Sequence, residues 1–352
     1  MHLVVEPAQG GHHLEYAEYL CTGLKERGLQ AGLVTSSPDL VSYAELERRF
    51  TDLQLLELLP RSHPVFSRVR DLVGMCRDLG VSHLYLPTGD SWIYQIALYR
   101  LRAPFSTSLL MLRSPYTSPR GGPRDLIKKA LILNAERNQA VRVHHLVGLP
   151  VDRTTRWKTV CDVARWSDIS QAPEEWTRFY EQYDKPKLAV VGVIDERKNI
   201  DLVQRGASEA FPNGSLLILA GHTIPTYRST VERALESHIS GGGQVLWINR
   251  RLPEVELDAL IGSADMVIAA HSNEGPSGVA LKALSAGQRL LLAGADTLRP
   301  LAAFGPGVEW TSLRATDLSD AMKRLVAGPR PTPVQFSSPT DFATSLIDPR
   351  VE

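Results

Sequence analysis

Five short apolar runs decide the fold: LAVVGVI (188–194), SLLILA (215–220), QVLWIN (244–249), DMVIAA (265–270) and QRLLLA (288–293). Such runs are apolar toward both faces, as strands must be when helices cover the sheet on each side. The stretches between them are long enough for crossover helices. Those helices are expected at Asp201–Phe211, Thr226–His238, Glu254–Ser263 and Ser277–Ala286, each bounded by Gly, Pro, Asn or Ser. Strand and helix in strict alternation predict a parallel sheet and a Rossmann-like α/β domain.

The first half repeats the rhythm more faintly, with strands expected at 2–6, 30–35, 53–58, 82–86, 106–112 and 141–146. A second α/β unit follows. Between 162 and 186 the composition shifts, and Asp184, Lys185 and Pro186 interrupt the chain just before the strand at Leu188. The expected division is therefore an N-terminal domain over 1–165, a linker over 166–186, a C-terminal domain over 187–328 and a tail over 329–352. The tail opens with a proline-rich stretch, PRPTPVQ, and ends in a segment, Phe342–Ile347, with enough apolar residues to pack as a last helical turn.

Length agrees with two domains: 352 residues exceed the roughly 250–300 at which single cores stop growing. With 43% hydrophobic and 22% charged residues, the composition is that of a globular protein and excludes a mainly disordered chain. Lys plus Arg and Asp plus Glu are both 39, so no global field draws the chain to nucleic acid or anionic lipid. The cysteines Cys21, Cys76 and Cys161 are odd in number and far apart, which excludes a fully paired disulfide framework and a CxxC metal site and fits a reducing cytoplasm. No D-x-D and no His or Cys cluster with ligand spacing occurs, so no divalent metal is expected. Neither a signal peptide nor a spanning helix is expected.

Open α/β sheets bind ligands outside the carboxyl ends of their strands, and two such units place a cleft where those ends face each other. The densest strand end is HSNEGPSGVALKALSAG (271–287), which leaves the DMVIAA strand and runs into a helix. Gly275, Pro276, Ser277 and Gly278 allow a tight turn whose backbone N–H groups, at a helix N-terminus, cradle phosphate oxygens. Glu274 stands just before that cradle, where a carboxylate has no evident stabilising purpose. Spacing alone leaves two readings open for it: a solvated loop glutamate, or a group that holds hydroxyls or a developing positive charge. His12, His13, Asp90 and Arg113 also follow strands and are the candidates on the N-terminal unit. Capping and turn hydrogen bonds are the simpler assignment for His13 and Asp90. His144 and His145, in an apolar strand, read as structural histidines.

The 264–287 segment resembles the E-G-F-G-x-x-x-x-E-A-x-A-x-G signature of the retaining family 4 glycosyltransferases, which have the GT-B fold. Glu274, Gly275, Ala283, Ala286 and Gly287 fall in register, as do Ala264, Asp265, Ser272 and Asn273 before them. VGVIDERKNI (191–200), LILAG (217–221) and LPEVEL (252–257) are similar to further segments of that family, so the likeness spans about 185–326. In the first half, Gly10, Gly11 and His12 resemble its glycine loop. The resemblance implies a two-domain GT-B protein that moves a sugar from a nucleotide-sugar to an acceptor with retention and without metal or other cofactor. It implies that Lys198 neutralises the donor diphosphate with help from Arg197 and the Gly11 backbone. Glu274 would lie beside the donor sugar, and Pro276, Ser277 and Gly278 would contact sugar and phosphate. His12, Asp90 and Arg113 would face sugar or acceptor.

Three departures touch the donor site. Val193 stands where the family has an arginine, which makes Arg197 a displaced substitute, and Pro276 replaces the aromatic of E-G-F-G. Lys282 stands where the family has the second glutamate, which holds the ribose hydroxyls; a lysine offers donors only. These departures support an alternative, a catalytically silent GT-B homologue that binds a carbohydrate or a protein. A sugar-nucleotide epimerase is a third reading, for which no acid and base pair is evident.

Overall fold

The computed structural model describes residues 1–9, 13–38, 42–99, 104–116, 123–148, 158–164, 166 and 183–347. The chain divides into two units: unit 1 comprises 1–163 with 337–352, and unit 2 comprises 164–336. Most of the expected linker, and the glycine loop at 10–12, lie outside the described residues.

Unit 1 contains β1 (His2–Glu6), α1 (His13–Glu26), β2 (Ala31–Ser36), α2 (Tyr43–Arg49), β3 (Leu55–Leu59), α3 (Val69–Asp78), β4 (His83–Leu86), α4 (Gly89–Tyr99), β5 (Ser106–Met111), α5 (Pro123–Glu136), β6 (Val141–Val147) and β7 (Lys158–Cys161). Its sheet has the order β3-β2-β1-β4-β5-β6-β7, and every pairing is parallel. The two-residue period of a strand sorts the side chains between two cores. Leu3, Val5, Leu84 and Leu109 pack with Leu72 of α3 and with Trp92 and Ile96 of α4. Val4, Leu33, Tyr85 and Leu110 pack on the opposite face with Leu14, Leu20 and Leu24 of α1.

Unit 2 follows with β8 (Lys187–Val191), α6 (Ile200–Ala210), β9 (Leu216–Ala220), α7 (Arg228–Ser240), β10 (Gln244–Ile248), α8 (Glu254–Ser263), β11 (Met266–His271), α9 (Gly278–Ser285), β12 (Leu290–Gly294), β13 (Val308–Thr311) and α10 (Ala315–Ala327). The parallel sheet runs β10-β9-β8-β11-β12-β13. Leu188, Val190, Leu217, Leu219 and Ile268 pack with Val203 of α6, Val231 of α7 and Met322 of α10.

The segment from Ser337 onward rejoins unit 1. Ser337 bridges Val163, and α11 (Pro339–Leu346) starts with a capping box in which Ser338 and Asp341 satisfy each other's backbone N–H groups. Phe342, Ala343, Leu346 and Ile347 form one helical stripe against α1. The Phe342 ring stacks on Tyr16 at 5.3 Å and meets Tyr19 edge-on at 5.8 Å. Contact is closest at Gly23, where an added Cβ would lie 2.2 Å from the Cβ of Ala343. The apolar end of the sequence's tail is thus core of unit 1.

Candidate functional site

A sheet's topological switch point is where successive crossovers leave in opposite directions, which parts the loops and opens a crevice. In unit 2 it falls between β8 and β11. The loop after β8 carries the turn Glu196–Lys198, capped by Asp195, whose Oδ1 accepts from the Arg197 N–H at 3.1 Å. Asn199 ends that turn in the left-handed region at φ 49°, and its Nδ2 donates to the Arg197 and Ala270 carbonyls. Ser272 N–H donates to the Arg197 carbonyl as well, so the loops after β8 and β11 are laced together. A third loop is pressed against them: Gly221, after β9, takes φ +141°, and a Cβ there would sit 1.9 Å from the Gly192 carbonyl oxygen.

Lys198 lies inside this lacing. Its Nζ donates to the Val191 carbonyl at 3.1 Å and pairs with His271 Nε2 at 3.2 Å. A point one Cβ length from Gly192 is 3.9 Å from the Lys198 Nζ and 3.8 Å from Val279 Cγ2, so the amine and the first turn of α9 both border Gly192. Burial lowers the Lys198 pKa to about 8; Asp195 opposes that shift and Arg197 adds to it. Burial, then Lys198 and Arg197, push His271 down to about 2. The imidazole is therefore neutral and accepts through Nε2 from an ammonium that keeps one further N–H bond to give. His271 is a member of this site that the sequence reading missed. At the end of an apolar run a histidine carries no signal of its own.

Ser277 caps α9, its Oγ accepting from the Ala280 N–H at 3.3 Å. Gly278 and Val279 form the first turn, where N–H groups have no intrahelical partner. Pro276 precedes them, half-buried. Glu274 has a stabilising purpose after all, contrary to the reading of its loop. Its two carboxylate oxygens accept the N–H groups of Asp296 (3.2 Å) and Thr297 (3.0 Å) and cap the 3-10 helix Asp296–Phe304. Thr297 Oγ1 returns the bond, exchanging hydrogen bonds with the Gly275 backbone. Those partners come 22 and 23 residues later, a tertiary contact that local spacing does not reveal. The Arg197 guanidinium is engaged by Asp195, with Nε at 2.8 Å from Oδ2.

Lys282 points into the protein. Its ammonium, 6% exposed, donates to the wholly buried Asp258 at 2.9 Å and to Glu254, both on α8. Burial opposes the charge, but Glu254 and then Asp258 outweigh it and raise the lysine's pKa. The residue that departs from the family signature thus ties α9 to α8.

In unit 1 the switch point falls between β1 and β4. Glu6 ends β1, is wholly buried, and accepts from the Ala8 N–H at 2.9 Å and from the Thr88 hydroxyl. His13, at the start of α1, places Nδ1 2.8 Å from Thr88 Oγ1 and 3.7 Å from Glu6 Oε1. Asp90, in the first turn of α4, accepts from the Leu112 and Arg113 N–H groups at 2.7 and 3.3 Å and from Lys128. It fastens the loop after β5. The Arg113 backbone belongs to that fastening, and its side chain is exposed. Gly11 and His12 lie outside the described residues. Among the described residues no group of three or more His, Cys, Asp or Glu could hold a metal ion, and no helix is long and apolar enough to cross a membrane.

No family model and no curated protein sequence matches the chain. Solved structures do. Sucrose-phosphate synthase from Thermosynechococcus elongatus is 14% identical, with a TM-score of 0.64 over 98% of this chain and 91% of its own. HepE of Anabaena, solved with UDP and glucose, is 14% identical, with a TM-score of 0.63 over 99% and 95%. WaaG, a glycosyltransferase involved in lipopolysaccharide biosynthesis, is 12% identical, with a TM-score of 0.59 over 98% and 93%. Two parallel α/β units with this strand order, matched over nearly their whole length by such structures, give the chain the GT-B fold.

Proposed function

We propose that the protein is a glycosyltransferase that takes a nucleotide-sugar on unit 2 and an acceptor on unit 1. The observation that carries the reading is the Lys198 amine, held by Val191 and His271 at the switch point of the sheet, where it and the first turn of α9 both border Gly192. A departing nucleoside diphosphate gathers negative charge. A fixed ammonium and the N–H groups of a helix start are the groups that stabilise it without reorganising. They supply the positive charge that a divalent metal would bring, so the reaction proposed needs neither metal nor cofactor. HepE, solved with UDP and with UDP-glucose, supports a uridine nucleotide as the first donor to try.

Ser277 and Gly278 would meet phosphate through the backbone. Glu274 would fix the position of the α9 cradle by joining its loop to Thr297, and Arg197 would stay with Asp195. The remaining likeness to the retaining family supports transfer with retention. The test is release of nucleoside diphosphate from a panel of nucleotide-sugars with simple glycosides as acceptors, with the product's anomeric configuration read by NMR. Turnover with one donor, lost in Lys198→Ala, is expected. Binding of a nucleoside diphosphate with no turnover for any donor would instead favour the silent homologue. Lys282 in place of the ribose-holding glutamate is the observation that supports that second reading.

A further inference from the structure

Two helices of unit 1, α4 and α5, are apolar on the side that faces water as well as on the side that faces the sheet. In α4, Trp92, Ile93 and Ile96 are buried in the core, while Tyr94 and Leu98 are exposed. In α5, Ile132 and Ala135 are buried, while Leu126, Ile127, Ala130 and Leu133 are exposed. Of the eight large apolar side chains exposed among the described residues, five lie on these two helices, from 44% exposed at Leu133 to 73% at Leu98. The outer face of a surface helix is normally polar, so this concentration marks a surface that a partner covers. The two helices form one face. Asn134 Nδ2 donates to the Ala97 carbonyl at 2.7 Å, a bond whose ends adjoin Leu133 and Leu98 in the chain.

We propose that this face is a homodimer interface, on which a second copy lays its own α5 antiparallel across a two-fold axis near Ala130. Leu126, Ala130, Leu133 and Arg137 follow one another at intervals of four, three and four residues, the spacing that keeps one stripe of a helix against another helix. A two-fold axis near Ala130 sets Leu126 of each copy against Leu133 of the other. Ala130 is the smallest side chain of the stripe and stands at the crossing, where packed helix axes come to about 8–10 Å. The same axis brings Arg137, just past the end of one α5, to the first turn of the other, where Asp125 stands. A parallel pairing would set like charges together at both ends, so the charges select the antiparallel one. The area is of the right order. Five large side chains about half exposed make an apolar patch on the order of 500 Å², more than half of the roughly 800 Å² that each partner contributes to a stable interface. A lipid surface, the other occupant of such a patch, is held by cations around it. Here Lys128 is turned to Asp90 and the Arg113 carbonyl, and Lys129 lies over the Tyr116 ring at 5.3 Å, so both lysines of α5 are engaged within unit 1.

Sedimentation velocity of the full chain over a wide range of concentration tests the proposal and should show a monomer–dimer equilibrium. Leu133→Glu should raise the dimer dissociation constant at least about 100-fold, because the two-fold axis counts the lost burial twice. Its circular dichroism and its thermal midpoint at low concentration should stay those of the wild type. Ile239→Glu, at a comparably exposed position on α7, should leave the equilibrium unchanged. Ala130→Cys, beside the axis, should be oxidised by dioxygen and copper to a disulfide-linked dimer, and Ile239→Cys should not. A wild type that is monomeric at every concentration overturns the proposal. So does a dimer of equal strength in Leu133→Glu, or one that Ala130→Cys fails to link. Cosedimentation of a monomeric wild type with vesicles of phosphatidylcholine and phosphatidylglycerol would overturn it in favour of a lipid surface.

Discussion

Lys198 concentrates the account at the scale of a single residue, because its charge is adjustable. With its pKa lowered to about 8 by burial, the ammonium is complete below that pH and is lost as pH rises through it. A bound diphosphate favours the ammonium, so binding above pH 8 must take up a proton. Nucleoside diphosphate affinity should therefore be flat up to pH 8 and fall about tenfold per pH unit above it. Titration calorimetry at pH 7, 8, 9 and 10 checks this, and Lys198→Arg should flatten the profile. Lys282 makes a different prediction. Lys282→Met removes the ammonium that the buried Asp258 and Glu254 share and should cost about 3–5 kcal/mol in chemical denaturation, whereas adding Asp258→Leu should restore most of it. Lys282→Glu, the substitution the family signature suggests, should be no milder, since it sets a third carboxylate against Glu254 and Asp258. Of these residues Lys198 was marked by the resemblance of 191–200 to the family's phosphate-binding segment. The sequence could not show the internal pairing of Lys282, whose partners lie 24 and 28 residues earlier.

Strands were legible where their residues form an apolar run, even at the half-buried edges β3 and β10. β8, β9 and β11 are apolar on both faces and betray themselves in any window. The edge strands β7 and β13 are four residues each and carry exposed or half-buried positions, KTVC and VEWT, so no apolar run announced them. α11 was visible only as a cluster of apolar residues behind prolines, since the surface it covers belongs to α1, more than 300 positions earlier in the chain. That docking gives a prediction at the same scale. Gly23→Leu drives a side chain into Ala343 and should lift α11 from α1. Losing the burial of Phe342 and Leu346, at roughly 1.5–3 kcal/mol each, should destabilise unit 1 by about 3 kcal/mol or more. Hydrogen exchange should rise over 338–347 while the strands of unit 2 keep their protection.

The molecule as a whole should be sensitive to acid through unit 1. Burial, with help from Lys158, holds His144 at a pKa of about 3, and burial followed by Lys128 holds His145 at about 4. Both lie below the 6.5 of an unfolded histidine, so below pH 6.5 the unfolded chain binds more protons. Stability should fall as pH drops from about 6.5 toward 4, by up to about 1.4 kcal/mol per pH unit for each histidine. His144→Phe should reduce that slope in denaturant titrations at pH 4.5, 5.5 and 6.5. The two sheets share one logic: the strand order opens each at its switch point, and each opening holds a histidine beside a second polar group, His271 with Lys198 and His13 with Thr88 and Glu6. The central claim, a diphosphate site on unit 2, is tested most directly by calorimetric titration of nucleoside diphosphates, without metal, into the full chain and into Lys198→Ala. The account predicts one-to-one binding of at least one of them, weakened about 10- to 150-fold by the substitution, the worth of a charged hydrogen bond. Binding of equal strength in both proteins, or none to the wild type, would contradict it.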